Sequence, residues 1–161
     1  MYKNIFIAID GSATSDLALR EALKFAMIGA KLTAVTVLDN PLQTYNTPDV
    51  LAFNFEEAHA AFAKQAEKVL ENAQVFAEQH SQIKIQTQLI DLGFSSGHDD
   101  IARAILKSAE ENGADLIVIG THGRRGIKRL FLGSVAEQLV RRSQRPVLLI
   151  RNPAETSQES S

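Results

Sequence analysis

Cysteine is absent from this chain of 161 residues, and its absence excludes three kinds of site. Disulfides, zinc sites built on thiolates and cysteine nucleophiles all need the missing side chain. Long apolar runs are also absent, since no stretch approaches the roughly 18 residues of a membrane-spanning helix. The segment MYKNIFIAIDGS at 1–12 has a run of only five apolar residues before its Asp, too few for a secretory signal. We therefore expect a soluble, cytoplasmic protein with no membrane insertion.

The chain also lacks a large charge of one sign. It has 17 basic and 19 acidic residues, for a formal net charge of −2. Such a balance does not give the field of a non-specific nucleic-acid binder, so we expect no nucleic-acid partner. Hydrophobic residues make up 45% of the chain, enough for one core. We expect a single domain over 1–151 and a polar, disordered tail, NPAETSQESS, over 152–161.

Short apolar runs rich in β-branched residues predict five strands. They lie at 5–9, 32–38, 83–90, 116–120 and 147–150. Four are almost continuously apolar, which is typical of parallel strands covered on both faces. The run 83–90 instead alternates apolar and polar residues, which predicts a position near a sheet edge.

Segments with apolar residues three and four positions apart separate these strands and predict four helices. They run from Ser12 or Ser15 to Gly29, from near Phe53 to near His80, from Asp99 to Gly113, and from Gly133 to Pro146. Regular alternation of strand and helix indicates βαβ units, and hence an open, Rossmann-like parallel sheet with helices on both faces. The connection 39–52 contains two prolines and no clear period, and it is a candidate lid.

A glycine-rich, cationic stretch, VIGTHGRRGIKRLFLGSVAE at 118–137, follows the fourth strand. Ligands of open parallel sheets bind beyond the carboxyl ends of the strands. Glycines leave backbone N–H groups unshielded, and the start of a helix favours an anion. The stretch therefore predicts a phosphate site near the Asp10-Gly11-Ser12 turn, with charge supplied by Arg124, Arg125, Lys128 and Arg129. The same glycines could be turn residues only, and the cations a solvated surface.

The spacing of these glycines separates them from two common phosphate motifs. Gly120-x-x-Gly123, nine residues, then Gly133-Ser134 is not a Walker A loop, and it follows the fourth strand rather than the first, unlike a dinucleotide fingerprint. Together with IAIDGS near the start and RPVLLI near the end, it resembles the universal stress protein family, in the subgroup that binds ATP. The resemblance covers nearly the whole chain.

This resemblance implies a five-stranded parallel sheet of order 3-2-1-4-5, the adenine nucleotide α-hydrolase-like arrangement. It implies that ATP, or AMP or ADP, lies in a crevice between strands one, two and four. The ligand-binding positions would be Ala8, Asp10, Val37, Ile119, Gly120, Gly123, Arg124, Gly133, Ser134 and Val135. It also implies a homodimer that pairs the last strands through Val147, Leu148, Leu149 and Ile150.

The residues at this site indicate binding of a ligand and do not indicate a catalysed reaction. Asp10 or Asp39 could hold Mg²⁺ through phosphates, or be a turn residue, and nothing resembles the catalytic groups of an ATPase. His122 could be a general acid or a phosphoryl acceptor, or it could be a backbone-capping or surface residue. The segment GFSSGHDD after the third strand lacks the proline that the family often has there. We therefore expect a regulatory or stress-response protein with slow or no ATP hydrolysis, the alternative being a dimeric scaffold without bound nucleotide.

Overall fold

Strands and helices alternate along the whole chain in the computed structural model, which describes residues 1–38, 55–93, 98–123 and 132–152. The elements are β1 (Asn4–Ala8), α1 (Ala13–Ala26), β2 (Lys31–Leu38), α2 (Phe55–Ser81), β3 (Gln86–Asp91), α3 (His98–Glu111), β4 (Leu116–Gly120), α4 (Ser134–Arg142) and β5 (Val147–Ile150). The predicted lid at 39–52, Asp39, the cations Arg124, Arg125, Lys128 and Arg129, and the tail beyond Asn152 lie outside the described residues.

The five strands form one parallel sheet in the order β3-β2-β1-β4-β5, as predicted. β1 lies at the centre, where Phe6 pairs with Thr33 of β2 and with Ile117 of β4. Because the strand order reverses at β1, the carboxyl ends of β1, β2 and β4 meet at one edge of the sheet. This is the edge at which the sequence predicts the ligand.

Helices cover both faces of the sheet, again as predicted. Alternate residues of β1 point to opposite faces, so Ile5 and Ile7 pack with α1 and α2, whereas Phe6 packs with α3 and α4. Both packing clusters consist almost entirely of aliphatic side chains, and Phe6 and Ile7 are completely buried. Within the described residues, none of the helices is both long and apolar enough to span a bilayer.

The third strand begins later than the alternating pattern predicts. The run 83–90 was expected to be extended throughout, but pairing with β2 starts only at Gln86, opposite Thr33. Ile83 and Ile85 precede the strand and pack against the α1/α2 face of the core instead. The edge position of β3 is confirmed. β5 forms the other edge, so its continuous apolar run does not mark a fully covered strand, and its four residues are only half-buried.

The start of α1 fixes the turn that follows β1. Of the two candidate caps, Ser12 is the one used: its hydroxyl accepts a hydrogen bond from the Ser15 N–H at 3.2 Å. The Ser15 hydroxyl donates back to the Ser12 carbonyl at 2.9 Å. A side-chain cap of this kind stabilises a helix by about 1 kcal/mol. It also sets where residues 10–12 lie against the sheet edge.

Candidate functional site

Asp10 is held in a fixed orientation at the end of β1. Its Oδ1 accepts a hydrogen bond from the Ser12 N–H at 2.9 Å, which closes a turn over Gly11. Gly11 has a φ of +78°, a left-handed conformation that glycine adopts without steric cost. The other carboxylate oxygen, Oδ2, faces the loop after β4: a Cβ built on Gly123 would lie 2.6 Å from it. The carboxylate therefore spans the space between the β1 and β4 ends.

At three positions of the predicted phosphate stretch, neighbouring atoms lie so close to the backbone that a residue with a Cβ would crowd them. None of these glycines has a positive φ. A Cβ on Gly120 would lie 2.9 Å from Thr14 Cγ2, and one on Gly133 would lie 3.0 Å from the Thr121 carbonyl oxygen. Together with the contact between Gly123 and Asp10, these approaches bring the end of β4, the loop after it and the start of α4 together. We call this region, formed by Gly120, Gly123, Gly133, Ser134 and Val135, the glycine cradle.

The N-terminus of α4 forms one wall of the glycine cradle. Its N-cap residue is Gly133, which has no side chain to accept a hydrogen bond from the N–H groups of the first turn. The Gly133 N–H donates to the Thr121 carbonyl at 2.8 Å, so this amide is engaged within the protein, contrary to the expectation that the amides of the stretch are open. The N–H groups of the first helical turn, beginning with Ser134, have no acceptor within the helix and favour an anion.

A crevice lies beside the cradle, between the ends of β1 and β2 and helix α2. We call it the base crevice; it is lined by Asp10, Thr36, Val37, Leu38, Phe62, Gln65, Ala66 and Val69. Its volume is about 10 Å³, near the minimum that admits one water molecule. A purine therefore needs the crevice to widen. Since the strand residues are fixed by sheet pairing, the wall that can yield is α2.

The predicted ligand-binding residues near the ends of β1, β2 and β4 have different surroundings. Asp10 and Val37 line the base crevice, and Val37 also packs against the apolar cluster under α3 and α4. Ala8 and Ile119, which pair across β1 and β4, pack with the apolar cluster under α3 and α4, and Ile119 is buried. Arg124 lies outside the described residues. The structure therefore brings Asp10, Gly120, Gly123, Gly133, Ser134 and Val135 to one edge of the sheet, with Val37 at the adjoining crevice.

Sequence reasoning predicted a helix from near Phe53 to near His80 but placed none of its residues at the site, and it therefore missed the contribution of α2. Ala66, Leu70 and Ala73 are indeed buried. Phe62 and Val69 are only half-buried and, with Gln65, line the base crevice. Helix length could have indicated this: 27 residues span about 40 Å, whereas the eight residues of β2 span about 26 Å. A helix longer than its strand must extend beyond an edge of the sheet.

His122 lies inside the cradle but is oriented by its neighbour. Its Nδ1 is 3.1 Å from the Thr121 hydroxyl, and its Nε2 is buried. Thr121 is itself buried; its N–H donates to the Ile150 carbonyl at 2.8 Å and its carbonyl accepts from Gly133. These contacts connect β5, the loop after β4 and α4. Among the residues that the structure describes, no cluster of three or more His, Asp or Glu side chains is arranged to hold a metal.

A second cavity, of about 200 Å³, lies between α1 and α2 on the far side of Val69. Its polar lining comes from Asp16, Arg20 and Asn72. Burial raises the pKa of Asp16, Arg20 opposes this effect, and the negative charge of Asp10 adds to it. The Arg20 guanidinium lies 4.4 Å from the centre of the Phe76 ring, within cation–π distance. Asp16, in the first turn of α1, is therefore harder to ionise than an ordinary aspartate.

Comparison with known proteins identifies the fold and the relatives of this chain. The model of the universal stress protein family matches residues 1–151. A protein of Staphylococcus haemolyticus named as a universal stress protein is 35% identical over 151 residues, covering 93% of this chain and 85% of that protein. A solved structure from the universal stress protein family of Burkholderia pseudomallei aligns with a TM-score of 0.70 at 31% identity, covering 92% of this chain and 96% of that one.

A more distant structure carries a nucleotide. The universal stress protein from Archaeoglobus fulgidus, solved in complex with dAMP, aligns with a TM-score of 0.60 at 22% identity. The alignment covers 92% of this chain and 98% of that one. At this identity the likeness concerns the fold, and the bound dAMP is a property of the Archaeoglobus protein.

Proposed function

Since the chain belongs to the universal stress protein family, we propose that it binds an adenine nucleotide, and ATP in particular, at the carboxyl edge of the sheet. The observation that carries this proposal is the N-terminus of α4, with glycine as its N-cap, beside the contact between Gly123 and Asp10. Backbone N–H groups at a helix start form an anion site without any basic side chain. The dAMP complex of the Archaeoglobus protein supports the class of ligand.

The proposed ligand spans both parts of the site. Its phosphates bind the first-turn amides of α4 at Ser134 and Val135, with Arg124 adding positive charge. Its ribose lies near Asp10 and Gly123, and its base enters the crevice at Val37. Where Mg²⁺ accompanies the phosphates, we propose Asp10 as a carboxylate that holds it, although its Oδ1 already accepts from Ser12. We propose a holding role with slow or no hydrolysis, in which ATP occupancy regulates a stress response in the cytoplasm.

Equilibrium titration with ATP tests the proposal directly. We expect Gly123→Val and Gly133→Val to abolish measurable ATP binding, because each added side chain occupies the cradle. Val140→Ala is the control, since Val140 lies on the exposed face of the same helix, α4. Circular dichroism verifies that the variants are folded. Wild-type affinity in both folded glycine variants would overturn the assignment, and parallel titrations with AMP and ADP identify the preferred nucleotide.

Two observations favour a second candidate, a dimeric scaffold without bound nucleotide. The Gly133 amide is already engaged by Thr121, and the base crevice admits about one water molecule. Mass spectrometry of the gently purified protein, together with thermal unfolding at millimolar ATP, distinguishes the two. Absence of a co-purifying nucleotide and of any thermal shift would support the scaffold.

The scaffold and the nucleotide-binding protein both use a homodimer in this proposal. β5 is an edge strand with four half-buried apolar residues, Val147 to Ile150, and an apolar edge invites pairing with a second copy. Val147→Lys puts a charge on this edge, and we expect a monomer by light scattering. Gln86→Lys, which puts the same charge on the opposite edge at β3, should leave the dimer intact. A monomeric wild-type protein would contradict the proposal.

A further inference from the structure

Helix α2 places one carboxamide at the base crevice. Among the described residues that line it, three side chains are polar: Asp10, Thr36 and Gln65. Asp10 accepts from Ser12, and Thr36 donates its hydroxyl proton to the Ile9 carbonyl at 2.9 Å. Gln65 is exposed and makes no hydrogen bond within the described part of the chain. Its amide group is therefore available to a ligand.

Gln65 shares its helix face with the apolar residues of the crevice. Phe62 lies three positions before it and Val69 four positions after it, which places all three on one side of α2. Phe62 is half-buried at the crevice and offers an aromatic face to a flat ligand. This face of α2 therefore combines an aromatic ring with a group that both donates and accepts hydrogen bonds.

We propose that Gln65 determines base specificity, by accepting a hydrogen bond from the adenine N6 amino group and donating one to N7. This inference rests on the proposed nucleotide binding and deepens it. A carboxamide pairs with this edge of adenine at two points, whereas guanine presents two acceptors, O6 and N7, at the same edge. Gln65 therefore favours ATP over GTP. The triphosphate, held by the glycine cradle, is common to both nucleotides and contributes nothing to the choice.

The test measures the ratio of ATP to GTP affinity by titration. We expect wild-type protein to prefer ATP, and Gln65→Ala to reduce this preference roughly tenfold, as loss of a two-point base contact does. Gln65→Arg supplies two donors that match guanine O6 and N7, so the ratio should shift further toward GTP. Gln79→Ala is the matched control, since Gln79 is an exposed glutamine on α2 outside the crevice lining. It should leave the ratio unchanged.

The outcomes separate this inference from the proposed function. Absence of ATP binding by the wild-type protein would overturn both. ATP binding with the same preference in wild type, Gln65→Ala and Gln65→Arg would overturn the role of Gln65 alone. Inorganic tripolyphosphate provides a second readout: its affinity should be the same in wild type and Gln65→Ala, and a parallel loss in both measurements would show that Gln65 supports the fold of the site instead of recognising the base.

Discussion

The glycine cradle and the base crevice meet at Asp10, but they are built from different parts of the chain. The cradle is made of backbone: its glycines approach Thr14, Asp10 and Thr121 so closely that an added Cβ would lie 2.9, 2.6 and 3.0 Å from them, respectively. The crevice is made of side chains, with strand residues on one wall and Phe62, Gln65, Ala66 and Val69 of α2 on the other. Because tightly packed backbone yields little and helix side chains can change rotamer, we expect the cradle to be rigid and the crevice to be adjustable.

Adding one methyl group inside the cradle should give the largest change in the free energy of unfolding. In Gly120→Ala the new Cβ would lie 2.9 Å from Thr14 Cγ2 and 3.1 Å from the Thr14 backbone carbonyl carbon. Overpacking of this kind destabilises by about 2 kcal/mol, measured as the free energy of unfolding in urea. Thr14→Ser removes the nearest methyl group, so the double variant should recover part of the loss. A Gly120→Ala variant as stable as wild type would contradict the rigidity of the cradle.

Removing atoms from the crevice wall should have a smaller effect on stability and a favourable one on binding. Val69→Ala deletes two methyl groups that are half-buried, and the expected loss is about 1 kcal/mol of unfolding free energy. The truncation widens a crevice of about 10 Å³, so ATP affinity should rise in isothermal titration. Val75→Ala, at an exposed position of the same helix, is the control for both measurements. Weaker ATP binding by Val69→Ala would mean that Val69 is a contact and not an obstacle.

The contrast between cradle and crevice also explains what the sequence could predict. The parallel α/β architecture and the glycine stretch follow from local signals: short apolar runs alternate with helical periods, and Gly120, Gly123 and Gly133 have a distinctive spacing. The strand order, in contrast, was implied by the family resemblance and not by these signals. The position of Phe62 and Gln65 at the crevice, and hence the role that we propose for Gln65, depends on where a long helix lies across the sheet edge, and periodicity does not report this. The hydrogen bond from Gly133 to Thr121 was equally hidden, because it joins a loop to a helix start twelve residues later. The prediction of a strand at 83–85 was wrong. Ile83 and Ile85 alternate with a polar residue because both pack against the core outside the sheet.

Two carboxylates, Asp16 and Asp91, should make stability depend on pH. Their substitution gives the smallest effects on stability that we expect. Asp16 lies at the start of α1 near Asp10, and burial raises its pKa above the usual 3.8. Asp91 ends β3, where the Gly93 N–H donates to it at 2.8 Å and holds its pKa below 3.8, with His59 adding to the shift. Both carboxylates are largely exposed, so each contributes only a small fraction of the free energy of unfolding.

The two pKa shifts have opposite consequences for stability. A carboxyl group with a lowered pKa stabilises the fold above pH 3.8, and this contribution disappears as the pH falls through the native pKa. One with a raised pKa has no effect well below pH 3.8 and becomes destabilising as the pH rises through its native pKa. Asp91→Asn should therefore lose stability relative to wild type at pH 7 and approach wild type near pH 2. Asp16→Asn should gain at pH 7 and likewise approach wild type near pH 2. Urea unfolding of the three proteins between pH 2 and pH 7 measures both differences. A constant difference in stability between Asp16→Asn and wild type over this range would show that burial at the start of α1 imposes no cost on the charge of Asp16.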